Sequence, residues 1–468
     1  MYTVADAENF SIDKIFDLYT NHVNPSQVNL FKPFSFSNEL VEYAHGSWIR
    51  TKSKRSILDA TGGIGVLNHG HNHPRILKIR EKFQHSRRME VHKNFFSPYV
   101  AALSANISKL LPNDLSYSYF ANSGAEAVEG AIKLAYKYHN GNRDVILHSN
   151  ISFHGKLLGA GSVTGSPEVH FKFPQIPNTD CFVYNSIDSL ASKLREYEVG
   201  STESKVFALI VEPISASTMR SCDIEFLLKL RELCDKYDIV LIFDEVYSGW
   251  GKTGYLFNFM RCEFLVPDIL VYAKSFGGGK SSISGYSYSR KIAESYNSLK
   301  DVTLHSTTYY GFGEECATAI EALNIIEEEN FVKKSFDIGV KIKNFFDSHD
   351  FSHVISEVRG SGALWGLILK VPEILEIVNI FEKVLPKESI FSDKRFASKL
   401  ISGAYVDYLY EQENVLTYFG SNIDNPLIIS LPLVTSDEDL DFLFNAISNT
   451  FKLPRRTIIS NFVKKRLS

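Results

Sequence analysis

Short apolar runs recur along the first two thirds of the chain, and between them apolar residues return every three or four positions. The runs 145–148, 206–211, 239–243 and 269–273 are almost wholly apolar, as strands buried on both faces must be. The intervening stretches 126–138 and 225–237 have the helical period. Strands alternating with helices from about 68 to 311 predict an α/β unit with a mostly parallel sheet covered by helices on both faces. Beyond it, 316–329 and 331–347 read as helices and 362–370 as a strand. An irregular stretch, 371–394, contains Pro372 and Pro386, and a helix at 397–411 and a strand at 427–431 follow. The economical division is an N-terminal segment 1–65 contributing to a small unit, a large unit 66–311, and a smaller α+β unit 312–468. No internal repeat or low-complexity segment interrupts this order.

A chain of 468 residues exceeds what one core usually serves, which agrees with more than one domain. Its net charge of −4 gives no reason to expect a nucleic-acid partner. The basic end, Lys464, Lys465 and Arg466, reads as a solvated tail. The start carries Asp6, Glu8, Asp13 and Asp17 rather than a basic stretch leading into an apolar one, so no secretory signal is expected. No apolar run reaches the roughly 18 residues of a membrane span, and a cytoplasmic protein is the expectation. Five scattered cysteines without C-x-x-C pairs fit reduced thiols.

The chemistry concentrates where the strands end. Asp244 follows one apolar run and Lys274 another, and open α/β sheets bind ligands at the carboxyl ends of their strands. An amine and a carboxylate held apart at one crevice suit pyridoxal phosphate chemistry. The amine forms a Schiff base with the aldehyde, and the carboxylate keeps the pyridine nitrogen protonated so that the ring accepts electrons. In A-N-S-G-A-E, residues 121–126, Ser123 and Glu126 have capping-box spacing and Gly124 permits close backbone approach. The helix beginning there offers amides to a phosphate, or is simply a well-capped helix. Phe153, beside His154 and Gly155, is placed to stack on a flat ring or to pack in the core, and Val246 could press on the opposite ring face. Glycines follow Lys274 in S-F-G-G-G-K, and Lys280, beyond them, ranks below it.

Other patterns carry less. His69, His71 and His73 lack the cysteines or acid of a metal site, so turn geometry and hydrogen bonding are expected of them and no metal is. Residues 249–254 spell G-x-G-x-x-G but begin past their strand and open no amphipathic helix, which argues against a dinucleotide fingerprint. Neither a P-loop nor a G-x-S-x-G elbow is present.

Taken in order, these residues resemble the class III pyridoxal-phosphate aminotransferases of fold type I, the group of ornithine, acetylornithine and ω-amine aminotransferases, and the resemblance implies a large domain with a mostly parallel, seven-stranded type of sheet flanked by helices and a smaller α+β domain. The resemblance runs from about 58 to 366 through L-D-A-T-G-G-I-G-V-L-N-H-G-H-N-H-P, N-S-G-A-E-A-V-E, F-H-G-K, V-E-P-I, D-E-V-Y-S-G-W-G-K-T-G, A-K-S-F-G-G-G and H-S-T-T-Y. It implies that Lys274 holds the cofactor as an internal aldimine and shuttles a proton once substrate displaces it. Asp244 would pair with the pyridinium, Phe153 and Val246 would sandwich the ring with His154 beside it, and Glu212 would lie close to the cofactor. Gly124 and Ala125 would give amides to the phosphate, with Ser123 nearby. Thr308 matches a threonine that reaches the neighbouring subunit's phosphate, which implies a homodimer.

The implied activity is transfer of an amino group from an amine or amino acid to an aldehyde or keto acceptor through pyridoxamine phosphate. A mutase or racemase on the same fold would need no second substrate. A noncatalytic binding or scaffold relative is opposed by the intact Lys274 and Asp244. Three departures stand out: Phe312-Gly313 where many relatives have Asn-Pro, Tyr247 where they have glutamine, and Ile428 where glutamate users place a carboxylate-clamping arginine. Arg359 remains, read as a structural residue. The aromatic content of 13% is available to line a substrate pocket.

Overall fold

The computed structural model describes residues 1–112, 115–165, 174–199, 203–296, 298–371, 396–420 and 422–467. The expected irregular stretch therefore lies, beyond residue 371, outside the described residues. The central sheet has seven strands in the spatial order Tyr117–Ala121, Ser284–Tyr288, Ile269–Tyr272, Val240–Asp244, Val206–Val211, Val145–Ser149 and Thr179–Phe182. Ser284–Tyr288 runs antiparallel to both of its neighbours, and every other pairing in the sheet is parallel.

Alternation along the strands explains the two covered faces, because successive side chains leave a strand on opposite sides. Leu209, Val211, Leu241, Phe243 and Leu270 pack into one cluster with Phe226, Leu227 and Leu230 of helix Ile224–Lys236. Ala208, Ile210, Val240, Ile242 and Val271 pack into another with Val128, Ala131, Ile132 and Ala135 of helix Gly124–Tyr138. Near-continuous apolar runs are what a strand needs when both of its faces are dry.

Two four-stranded sheets accompany the central one. Strands Ile355–Ser361, Leu364–Leu369, Leu427–Ser430 and Tyr418–Phe419 form an antiparallel one. The other joins Val41–His45, Trp48–Thr51 and Ser56–Asp59 to Val415–Leu416, which pairs parallel to Ser56–Asp59. The N-terminal and C-terminal parts of the chain thus share a sheet. Arg55 strengthens the join, donating to the carbonyls of Tyr410 and Glu411 and to Asn414 Oδ1. The C-terminal residues are not a solvated tail: Arg455–Leu467 is a helix that buries Ile458 and Phe462, and Lys465 pairs with Asp407 and Glu411. Apolar anchors on one face of that helix outweigh its flanking basic charge.

The loop after Asp59 lies directly on strand Leu427–Ser430. Gly62 has φ +52°, and a Cβ there would fall 2.4 Å from the Ser430 carbonyl oxygen, while Ser430 donates its amide to Ala60 O at 2.8 Å. A side chain at 62 meets backbone that cannot yield and a conformation that L residues avoid. Gly62→Ala is therefore expected to destabilise the protein by about 2 kcal/mol or more, measured by denaturant unfolding. An unchanged unfolding midpoint would contradict this packing.

Candidate functional site

Two neighbouring strand ends build the site. Strands Val240–Asp244 and Ile269–Tyr272 are in register with Asp244 opposite Val271, so the chain leaving Val271 carries Lys274 past the same edge. Lys274 then takes up φ +51°, an uncommon conformation for a residue with a side chain, and opens the short turn Lys274–Gly277. That turn is anchored by Phe276, fully buried and stacked on Trp250 with ring centroids 4.8 Å apart. A left-handed lysine on a turn pinned by aromatic packing has its direction fixed by the scaffold.

The Lys274 amine donates to Ile64 O at 3.2 Å and lies 4.5 Å from the centroid of the Tyr247 ring. Burial pushes its pKa down to about 8, against the opposing pull of the Asp244 and Glu212 carboxylates. Asp244 is buried, accepts from His154 Nδ1 at 2.7 Å and from the Val246 amide at 2.9 Å. The other His154 ring nitrogen has no partner among the described residues. Glu245, next along the chain, turns inward and accepts from Ser248 Oγ and from the amides of Asn258 and Phe259, which fixes the turn that follows the strand.

Glu212 sits at the end of the adjoining strand Val206–Val211. Its two carboxylate oxygens accept the amides of Phe153 and Ala216, each at 2.9 Å, so it ties the Phe153 loop to the sheet. Burial drives its carboxyl up to about 7; His154 opposes the rise and Asp244 adds to it.

The fourth wall is the start of helix Gly124–Tyr138. Ser123 caps it by accepting the Glu126 amide at 3.2 Å. The reciprocal half of the expected capping box is absent, because the Glu126 carboxylate takes the Asn122 amide at 2.9 Å, one residue earlier than the box requires. The first amides of a helix have no acceptor within it, and here they face a cavity. A Cβ on Gly124 would approach Val246 Cγ1 to 3.0 Å, so glycine keeps helix and strand end close together.

Ser123, Gly124, Ala125, Phe153, His154, Glu212, Asp244, Val246 and Lys274 all line one cavity of about 410 Å³. Thr308 does not; it is exposed in a turn, next to Thr307, which accepts from the cavity-lining Asn122 at 3.4 Å. Val66, Asn122, Ala216, Tyr247 and Ser281 to Ile283 also line the cavity. Of these, Tyr247 was marked by sequence only as a departure. Asn122 could have been reached from the S-G-A motif it precedes, and Ser281 from the glycine run, but nothing in the spacing marks Val66. Lys280 is exposed and outside the cavity.

The remaining sequence features resolve locally. His69 bonds to Ala322 O at 3.0 Å, His71 to Asp59 at 2.8 Å, and His73 pairs with Glu329 at 3.3 Å. Residues 249–254 are turns that open no α-helix. Arg359 pairs with Glu357 and Asp424 and faces a separate groove with Arg220. Ile428 is fully buried in a small cluster with Met219, Leu364 and Tyr247.

The cavity offers what pyridoxal 5′-phosphate requires. Exposed helix amides beside a bare glycine suit its phosphate, a buried histidine-braced carboxylate suits its ring nitrogen, half-buried Phe153 and Val246 suit a flat ring, and a desolvated amine suits its aldehyde. Comparison with known proteins bears on the same point. Residues 35–451 match the family described as aminotransferase class III. Among solved structures, ornithine aminotransferase from Toxoplasma gondii ME49 aligns at 20% identity over 97% of this chain and 99% of its own, with a TM-score of 0.79. An (S)-enantioselective ω-transaminase from Thermomicrobium roseum aligns at 22% identity over 97% and 99%, also with a TM-score of 0.79.

The Glu212 geometry makes a pH prediction. Between its ordinary value of 4.5 and about 7, the unfolded chain holds this group ionised while the folded chain holds it protonated. Folding then takes up a proton, so the group's stabilising contribution is full below pH 4.5 and is lost as pH rises through 7. In denaturant unfolding of the full-length protein without added cofactor, wild type should lose up to about 3 kcal/mol more than Glu212→Gln between pH 5 and 7.5. Parallel pH dependence in the two proteins would contradict the assignment.

Proposed function

We propose an assignment of roles from one premise: the chain belongs to the class III aminotransferase family, and so is a pyridoxal-phosphate-dependent transaminase acting on small amines and carbonyl acceptors. The observation that carries the assignment is the convergence of Lys274, Asp244 and the Gly124–Tyr138 helix start on one cavity. When bound, pyridoxal 5′-phosphate supplies the electron sink and carries the amino group between donor and acceptor. Lys274 is the attachment point and, when released, the base that moves the substrate's α proton. Its burial favours the neutral amine that such a base must be. Asp244, oriented by His154 and the Val246 amide, keeps a proton on the ring nitrogen. Phe153 and Val246 exclude water from the two ring faces, and Glu212 holds the Phe153 loop in place. Gly124 and Ala125 give their amides to the phosphate, with Ser123 closing the first turn.

Thr308 is assigned to the phosphate site of a second copy, in a homodimer. Its exposure, and that of the large apolar residues close to it in sequence, Leu299, Val302 and Tyr309, supports the assignment. Residues 66–311 form the cofactor-binding unit, with 1–65 and 312–468 joined as the smaller one, a division favoured by the pairing of Val415–Leu416 with Ser56–Asp59. Among the described residues no helix is long and apolar enough to cross a membrane, and a cytoplasmic enzyme is the reading adopted. The substrates are an amine or ω-amino donor and an aldehyde or keto acceptor.

The test is spectroscopic. Purified protein with pyridoxal 5′-phosphate should show a visible band that an amine donor discharges and a keto acid restores. Lys274→Ala should lose turnover by at least about 10⁴-fold and fail to show the lysine-linked band. Product formation without any acceptor would instead favour a mutase, and a protein that takes up no cofactor would overturn the assignment.

A further inference from the structure

The Lys274 amine rests against a surface suited to a cation. Its nitrogen lies 4.5 Å from the centroid of the Tyr247 ring and donates to the Ile64 carbonyl at 3.2 Å. A ring face and a carbonyl oxygen both attract positive charge. Neither offers a proton to a neutral amine's lone pair.

The Tyr247 ring is itself immobilised. Its hydroxyl shares a hydrogen bond with that of Tyr418, and its body packs with Met219, Leu364 and Ile428. Its edge fills the space a side chain at 65 would need: a Cβ on Gly65, at φ +83°, would lie 2.3 Å from it. Gly65 closes a left-handed run from Gly62, and Ile64, at φ +59° within that run, supplies the carbonyl that Lys274 meets. A β-branched residue is costly in that conformation, and the surrounding glycines make the run possible.

We propose that Tyr247, braced by Tyr418, is a positioning residue for Lys274: its ring face and the Ile64 carbonyl hold the charged amine at the cavity wall in the protein before the cofactor attaches. This inference rests on Lys274 being the attachment lysine. Other groups also act on the amine. Asp244, bonded to His154, and Glu212 favour its charge. Lys252, fully buried and donating to Leu431 O at 2.8 Å, feels its repulsion, with Asp59 acting on Lys252 in the opposite sense. The Tyr418 hydroxyl is held neutral, burial pushing it well above its ordinary value. Substitution at 247 leaves all of these in place, so a difference reports the ring.

The experiment uses the full-length apoprotein and reads the second-order rate of covalent capture of pyridoxal 5′-phosphate by visible absorbance, from pH 6.5 to 10. Only the free amine attacks the aldehyde carbon, with water leaving, so the midpoint of the rate profile follows Lys274; the cofactor's own titrations are common to every variant. Tyr247→Leu should lower the midpoint by about half a unit to one unit. Tyr247→Phe keeps the ring and should stay within about 0.3 of wild type. A midpoint that is unchanged in Tyr247→Leu, or that rises as expected of a ring that only excludes water, would overturn the proposal. Tyr247→Met replaces Tyr247→Leu if the latter gives no cooperative melt. Failure of wild type to capture the cofactor would instead remove the premise about Lys274.

Discussion

The register between strands Val240–Asp244 and Ile269–Tyr272 is the constraint on which the rest depends. With Asp244 opposite Val271, a carboxylate and an amine leave the same sheet edge a few residues apart along adjacent strands. A slip of one residue would send Asp244 to the opposite face and dismantle the pair. Both strands are buried on both faces, and the two helix-covered clusters fix that register through packing. The apolar core therefore sets the chemistry's geometry before any polar contact is made.

Burial then tunes what it has placed. The Lys274 amine is brought down to about 8 and the Glu212 carboxyl up to about 7, each moving toward its neutral form as desolvation requires. Asp244 is handled differently: a histidine and a backbone amide bind its two oxygens and fix the direction of its carboxylate. A lysine and a glutamate at one cavity are thereby brought toward neutral pH from opposite sides by their surroundings, as acid–base work there demands.

Much of this was legible in the sequence, for a physical reason. Central strands such as 206–211 and 239–243 must be apolar throughout, so their ends, and the residues there, stand out. The edge-side strands Tyr117–Ala121 and Ser284–Tyr288 gave no such run. They carry serine and tyrosine where the central strands are aliphatic, and they pair with each other, with Tyr119 stacked on Tyr286 at 5.5 Å. The bond between His154 and Asp244 spans 90 positions, which no local spacing announces. Glu126 looked like half of a capping box and instead serves Asn122, because a carboxylate on the first helical turn reaches either of two adjacent amides. Tyr247 was visible only as an oddity of one motif; its place under Lys274 depends on Gly65 and Tyr418, far away along the chain.

The central claim is that Lys274 is where the cofactor attaches. Borohydride reduction of the holoprotein, followed by peptide mass mapping, tests it most directly. The account predicts one pyridoxyl-phosphate addition, on the peptide carrying Lys274 and on that lysine. An addition on Lys280 or Lys252, or a holoprotein that yields no modified peptide, would contradict it.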